Sequence, residues 1–299
     1  MFLLFKFFNK DNINILFHYY FSILGAYIIG CMLYNRFLNI TPLYFESKKI
    51  VVNIPAIKFI SDKSAPIDRL FILCFLLGSV IGVGYFLTKH YMLNNILGIC
   101  FCIFGIENLM LGQFKVGFIL LGLLFFYDIF WVFGTPVMVS VATNLEGPIK
   151  LMFPKKLDWE VAKDFNMIGL GDIVIPGVFV ALMMRFDYLR MVRKIRSEIQ
   201  HSYKNVEKDS KGNYITNFGL KSYCHFLCTV FGYVAGIVAT LIVMNYFQKA
   251  QPALLYLVPG CLLYSIIPAI LTGNIKELWN FDEELSLEET GIKIPPKKD

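Results

Sequence analysis

The fold is decided at MIGLGDIVIPGVFVALMMRF, residues 167–186. The stretch is almost wholly apolar or glycine and has the length of a membrane-spanning helix, yet it contains Asp172. Inserting an aspartate at mid-span costs about 2.5–3.5 kcal/mol on translocon-derived scales, so such a residue is a functional-site candidate by default. Gly169 and Gly171 remove side chains just ahead of it, so that a backbone or a substrate can approach closely. Pro176, four residues on, removes a helical hydrogen bond and favours a kink. Irregular backbone at membrane depth is tolerated where it lines a cavity.

Outward from this stretch the chain repeats the pattern. Apolar runs near 13–34, 69–88, 93–111, 115–141, 222–247 and 251–272 bring the expected number of spans to seven. The 299 residues are 57% hydrophobic and 17% charged, with mean hydropathy +0.59. That apolar excess comes in blocks, which excludes an ordinary soluble domain and implies an all-α polytopic membrane protein. The opening MFLLFKFF is too short to span and lacks a small-residue cleavage site. The seven cysteines lie mostly within apolar runs, with no C-x-x-C pair and no spacing for a metal, so the sequence points to no metal or organic cofactor.

Positive charge fixes the orientation. The face carrying 35–68 with Arg69 at its boundary, 112–115, 185–221 and the C-terminal tail holds 20 of the 28 Lys and Arg, so it is expected in the cytosol, C-terminus included. On that topology the sequon at Asn39 stays unmodified. The basic stretch 187–221 reads as a loop beside anionic lipid, not a nucleic-acid site, and the acidic tail from 273 reads as loosely ordered. His18, His90, His201 and His225 read as packing or interfacial residues. The expected organisation is N-terminal helices over 1–112, a catalytic membrane domain over 113–272 and a cytosolic tail over 273–299.

A second carboxylate sits inside a span, Asp128 in GFILLGLLFFYDIFWVFGTPVMV, whereas Glu107 lies close enough to a span end to reach the interface. Asp128 is about 18 Å from the start of its helix, roughly 12 Å from the far side of a core of about 30 Å. Asp172 is about 8 Å inside its own helix, which returns from that far side. Adjacent antiparallel helices therefore permit the two to meet. Two aspartates at close range share one proton, because both cannot ionise without strong repulsion. The neutral one donates to a carbonyl oxygen and the ionised one serves as base toward water. Tyr127 is placed to hydrogen-bond within such a site.

These residues carry a resemblance. Tyr127-Asp128, then Gly169-Leu170-Gly171-Asp172, then Pro252-Ala253-Leu254 resemble the YD, GxGD and PAL motifs of the signal peptide peptidase family, presenilin-related intramembrane aspartyl proteases. The wider strings FFYDIFWVFGTPVMVSVA, MIGLGDIVIPG and QPALLYLVP strengthen the match, which covers about residues 80–275. The resemblance implies a presenilin-like helix bundle in the endoplasmic reticulum membrane that cleaves signal peptides and type II membrane segments. It implies Asp128 and Asp172 as the catalytic pair, with Tyr127, Gly169, Leu170, Gly171, Pro252, Ala253 and Leu254 shaping the site. It leaves homo-oligomerisation open and needs no partner subunit. The short interval between the two aspartates favours this branch over presenilin. The family has nine spans, so seven implies that its first two are absent here. Lys297-Lys298-Asp299 is offset by one residue from a dilysine retrieval signal.

Two rival functions share some of these features. A transporter or ion pathway also uses paired membrane carboxylates, but the inverted repeats and paired broken helices common in transporters are not seen. A seven-span receptor gives no reason for membrane-embedded acids. A substrate helix shields its own peptide bonds, so it is expected to unwind and pair by strand addition with Pro148-Ile149-Lys150-Leu151.

Overall fold

The computed structural model describes residues 10–40, 69–134, 147–154, 165–205, 223–247 and 252–290. MFLLFKFF, Thr41 of the sequon and the final three residues lie outside the described residues. The chain divides into two compact units. The first holds α1 (Lys10–Ile40), α2 (Arg69–Thr88), α3 (Tyr91–Asn108) as far as Gly105, and a hairpin of β1 (Lys150–Pro154) and β2 (Phe165–Gly169). The second holds α4 (Phe114–Gly134), α5 (Leu170–Asn205) from Asp172 onward, α6 (Cys224–Phe247), α7 (Leu254–Leu271), α8 (Ile275–Trp279) and α9 (Glu283–Thr290).

Among the described residues six stretches are long and apolar enough to cross a membrane: Asn14–Phe37, Leu70–Thr88, Tyr91–Asn108, Phe114–Trp131, Cys224–Met244 and Leu254–Leu271. The chain is an all-α polytopic membrane protein, with one small hairpin among the described residues. The seventh expected span, 167–186, is helical only from Leu170, because Met167, Ile168 and Gly169 belong to β2. Asp172, Arg185 and Asp187, three charges within its first eighteen residues, distinguish it from the other six. Two further expectations are corrected. Residues 187–205, read as loop, continue α5, which at 36 residues is about 54 Å long. The tail, read as loosely ordered, forms α8 and α9.

In the first unit small residues bring α1 and α2 into close contact. Ser22 and Ala26 face Gly82, Ala26 and Gly30 face Gly78, and the Ser22 hydroxyl donates to the Gly82 carbonyl at 2.6 Å. His18 is buried against Tyr85, its Nδ1 3.2 Å from the phenol oxygen. The hairpin is antiparallel, with Lys150 opposite Gly169 and Met152 opposite Met167. Its β1 edge is braced by α3. The Asn94 amide donates to the Lys150 carbonyl at 2.8 Å, and Asn95 donates to the Met152 carbonyl (2.7 Å) while accepting from its N–H (2.8 Å).

In the second unit a core forms from Phe114 and Leu121 of α4, Phe179 and Phe186 of α5, and Leu257 and Cys261 of α7. Helices α6 and α7 cross at Gly232 and Gly260, where either Cβ would press on the other's backbone. Asp187 of α5 binds the start of α6 with both oxygens, one 2.8 Å from His225 Nδ1 and one accepting from Phe226 N–H at 2.9 Å. This pair is 1–2% exposed, and it meets one of the amides that a helix start leaves unbonded.

Candidate active site

Asp128 lies on the buried face of α4, one and two turns beyond Leu124 and Leu121, and is 6% exposed. Asp172 is the third residue of α5 and half-buried. It is therefore only about 3 Å from the helix start, not the expected 8 Å, because the strand ends at Gly169. Unbonded N–H groups and the helix dipole in that first turn favour a carboxylate. The two carboxyl groups lie near enough to interact electrostatically.

The Leu254 N–H donates to Asp128 Oδ2 at 3.1 Å. The local sequence explains why this donor is available. Pro252 has no N–H, and Ala253, the N-cap residue of α7, makes no side-chain capping bond. The first turn of α7 thus lacks an acceptor of its own, and the carboxylate on α4 supplies one. Pro252 and Leu254 are buried and Ala253 is half-buried. The motif sets a helix start against Asp128.

Pro176 lies inside α5, and the bond it cannot make is the one to the Asp172 carbonyl. Leu170, half-buried, donates its N–H to the Ile149 carbonyl at 3.0 Å, tying the helix start to the residue just before β1. Gly169 closes β2. Gly171 is exposed, and a Cβ built there meets nothing within 4 Å. Tyr127 is 59% exposed and packs on Trp131 with ring centroids 5.9 Å apart, so its ring turns to the outside of α4. The structure therefore brings together Asp128, Asp172 and Leu254, and leaves Tyr127 apart.

Sequence reasoning passed over the Asn94-Asn95 brace and the Asp187–His225 pair. Adjacent asparagines inside an apolar span, and an aspartate two residues after Arg185, were the available signals. Among the described residues no group of three or more His, Cys, Asp or Glu is arranged to hold a metal ion.

A family model described as signal peptide peptidase matches residues 1–285. Intramembrane protease 2 of Caenorhabditis elegans is 45% identical over 236 residues, covering 77% of this chain and 47% of that protein. The signal peptide peptidases of Mus musculus and Homo sapiens are 36% and 35% identical over 300 residues, covering 95% of this chain and 69% of each. No solved structure matches the chain. With the three motifs in order and the model spanning nearly the whole sequence, the chain belongs to the signal peptide peptidase family of intramembrane aspartyl proteases.

Proposed function

We propose that this chain is an intramembrane aspartic endopeptidase in which Asp128 and Asp172 act as one proton-sharing pair. The observation that carries the reading is the buried Asp128 carboxyl, bonded to Leu254 N–H and within electrostatic reach of Asp172. Asp128 is assigned the base, since the donor at the start of α7 supports negative charge on it. Asp172 donates to the scissile carbonyl. Water attacks that carbonyl as its proton passes to Asp128, and the tetrahedral intermediate collapses with protonation of the leaving nitrogen. The bond lies within the membrane, which is why both carboxylates do.

The substrates are signal peptides and type II membrane segments, unwound locally before cleavage. Strand addition is reassigned within the hairpin. The outward groups of Lys150 and Met152 on β1 are already taken by Asn94 and Asn95. Because Leu170 N–H bonds Ile149, the alternation of an antiparallel ladder turns Phe165, Met167 and Gly169 of β2 outward. Met167 is 46% exposed, and β2 runs without a break into the helix that carries Asp172. An extended substrate adds on that edge. The site residues Gly169, Leu170, Gly171, Pro252, Ala253 and Leu254 shape the approach. Membership of the family supports the endoplasmic reticulum membrane, and the charge distribution supports a C-terminus in the cytosol. The relatives named above give no support to a transporter.

The test is cleavage of a fluorescent reporter signal peptide by purified protein in detergent. Asp128→Asn and Asp172→Asn are each expected to reduce turnover to background while the protein stays folded by circular dichroism. Wild-type turnover in either variant would remove the dyad.

A further inference from the structure

The segment after α7 is not an appendage. The chain turns at Gly273, whose φ of +72° suits glycine, and Asn274 N–H reaches back to the Ala269 carbonyl at 2.8 Å. Residues 274–287 then lie across both helices that carry the aspartates. On the α4 side, Phe114 N–H donates to the Phe281 carbonyl (3.4 Å) and Glu283 N–H to the Gly112 carbonyl (2.8 Å). The Gln113 amide donates to Asp282 Oδ2 at 2.6 Å, and the Trp279 ring stands edge-on to Phe118 at 5.7 Å. On the α5 side, the Phe281 ring stands edge-on to Phe186 at 5.1 Å. Arg193 donates to the buried Ser286 hydroxyl at 2.6 Å, and Arg190 and Arg193 each lie 3.4 Å from Glu277.

The geometry has a symmetry in it. Phe114 stands fourteen residues before Asp128, and Phe186 fourteen residues after Asp172. At about 1.5 Å per residue both are about 21 Å from their carboxylate. One residue, Phe281, touches both points: its carbonyl holds α4 and its ring holds α5. A slip of one helix by a single residue would move its carboxyl about 1.5 Å along the axis. Misplacement of about 1 Å costs about a hundredfold in rate.

We propose that residues 274–287 are a clamp that sets the axial register of α4 against α5, with Phe281 as its central positioning residue. The inference rests on the dyad reading above. At about 21 Å from either carboxylate, the clamp acts through the helices and not on substrate. Its loss should therefore appear in kcat, with KM unchanged.

Two variants test this in the full-length protein with the same reporter peptide. Phe281→Ala is expected to lower kcat by about ten- to a hundredfold, with KM unchanged and Phe281→Tyr restoring most of the rate. Because Phe281→Ala empties a buried site, a second variant keeps the fold constant. Gln113 and Asp282 are opposite each other in a two-residue β-bridge, a spacing that accepts a disulfide. In Gln113→Cys/Asp282→Cys the reduced form should show lowered kcat and the oxidised form should recover it. Wild type under the same oxidant controls for the seven native cysteines. Equal turnover of the reduced and oxidised forms, at any level, overturns the clamp, as does a Phe281→Ala effect confined to KM or to the melting temperature. Asp128→Asn in the double-cysteine background separates the two readings. Inactivity in both redox states keeps the dyad whatever the clamp does, whereas cleavage there would sink the dyad reading itself.

Discussion

Gly171 is a glycine that nothing within the described chain requires. Its φ is not in the left-handed region, and a Cβ there would touch no atom within 4 Å. In the first turn of a helix, alanine should stabilise it by about 0.4–1 kcal/mol. We read the open space as the room a substrate backbone needs beside Asp172. Gly171→Ala is therefore expected to keep or raise the melting temperature while lowering kcat/KM by about tenfold or more. Full activity in that variant would make Gly171 a spacer. The aspartates were legible from sequence because a charge in an apolar run is costly and must be explained. Tyr127 was not, because neighbours on a helix point about 100° apart, and adjacency to Asp128 in the chain gave no information about facing.

The hairpin and the long helix show where element boundaries escaped the sequence. Met167-Ile168-Gly169 is too short and too apolar for periodicity to separate strand from helix, so it read as the start of the span. Its identity as strand comes from pairing with Lys150–Pro154, and that partner depends on two asparagines more than fifty residues upstream. Asn95→Ala leaves the half-buried Met152 N–H and carbonyl without their amide, a loss of about 0.5–1.5 kcal/mol per hydrogen bond. The expected result is faster amide exchange at Met152 and a raised KM, with kcat for bound substrate less affected. Unchanged exchange at Met152 would show that the brace contributes little. Helix α5 outran its expected end for a related reason. Beyond the apolar stretch it is stabilised by Glu277 and Ser286, residues that a local window cannot include.

Across the whole chain, charge gives an expectation of orientation, and it was a poor guide to order. The bias of Lys and Arg toward one face predicts a cytosolic C-terminus. An epitope appended after Asp299 should be digested by protease added to intact microsomes, and protection of that epitope would invert the topology. The same charges misled on the tail: acidic residues after 273 look disordered until Arg185 is found 3.5 Å from Glu283. Burial pushes the Glu283 carboxyl up from the ordinary range, and Arg185 pulls it back. The partners are 98 residues apart in sequence, so only the folded chain reveals them. One connection closes a circuit. The stretch from Leu254 to Phe281 grips α4 at two points, through Asp128 and through Phe114, so helix and stretch together form a frame with Asp128 as one corner. An asparagine at that corner still offers an oxygen to Leu254, leaving the frame shut and the chemistry dead. An alanine there is equally dead but unlatches the frame. Substrates captured on the first will portray the working enzyme, and those captured on the second a relaxed one.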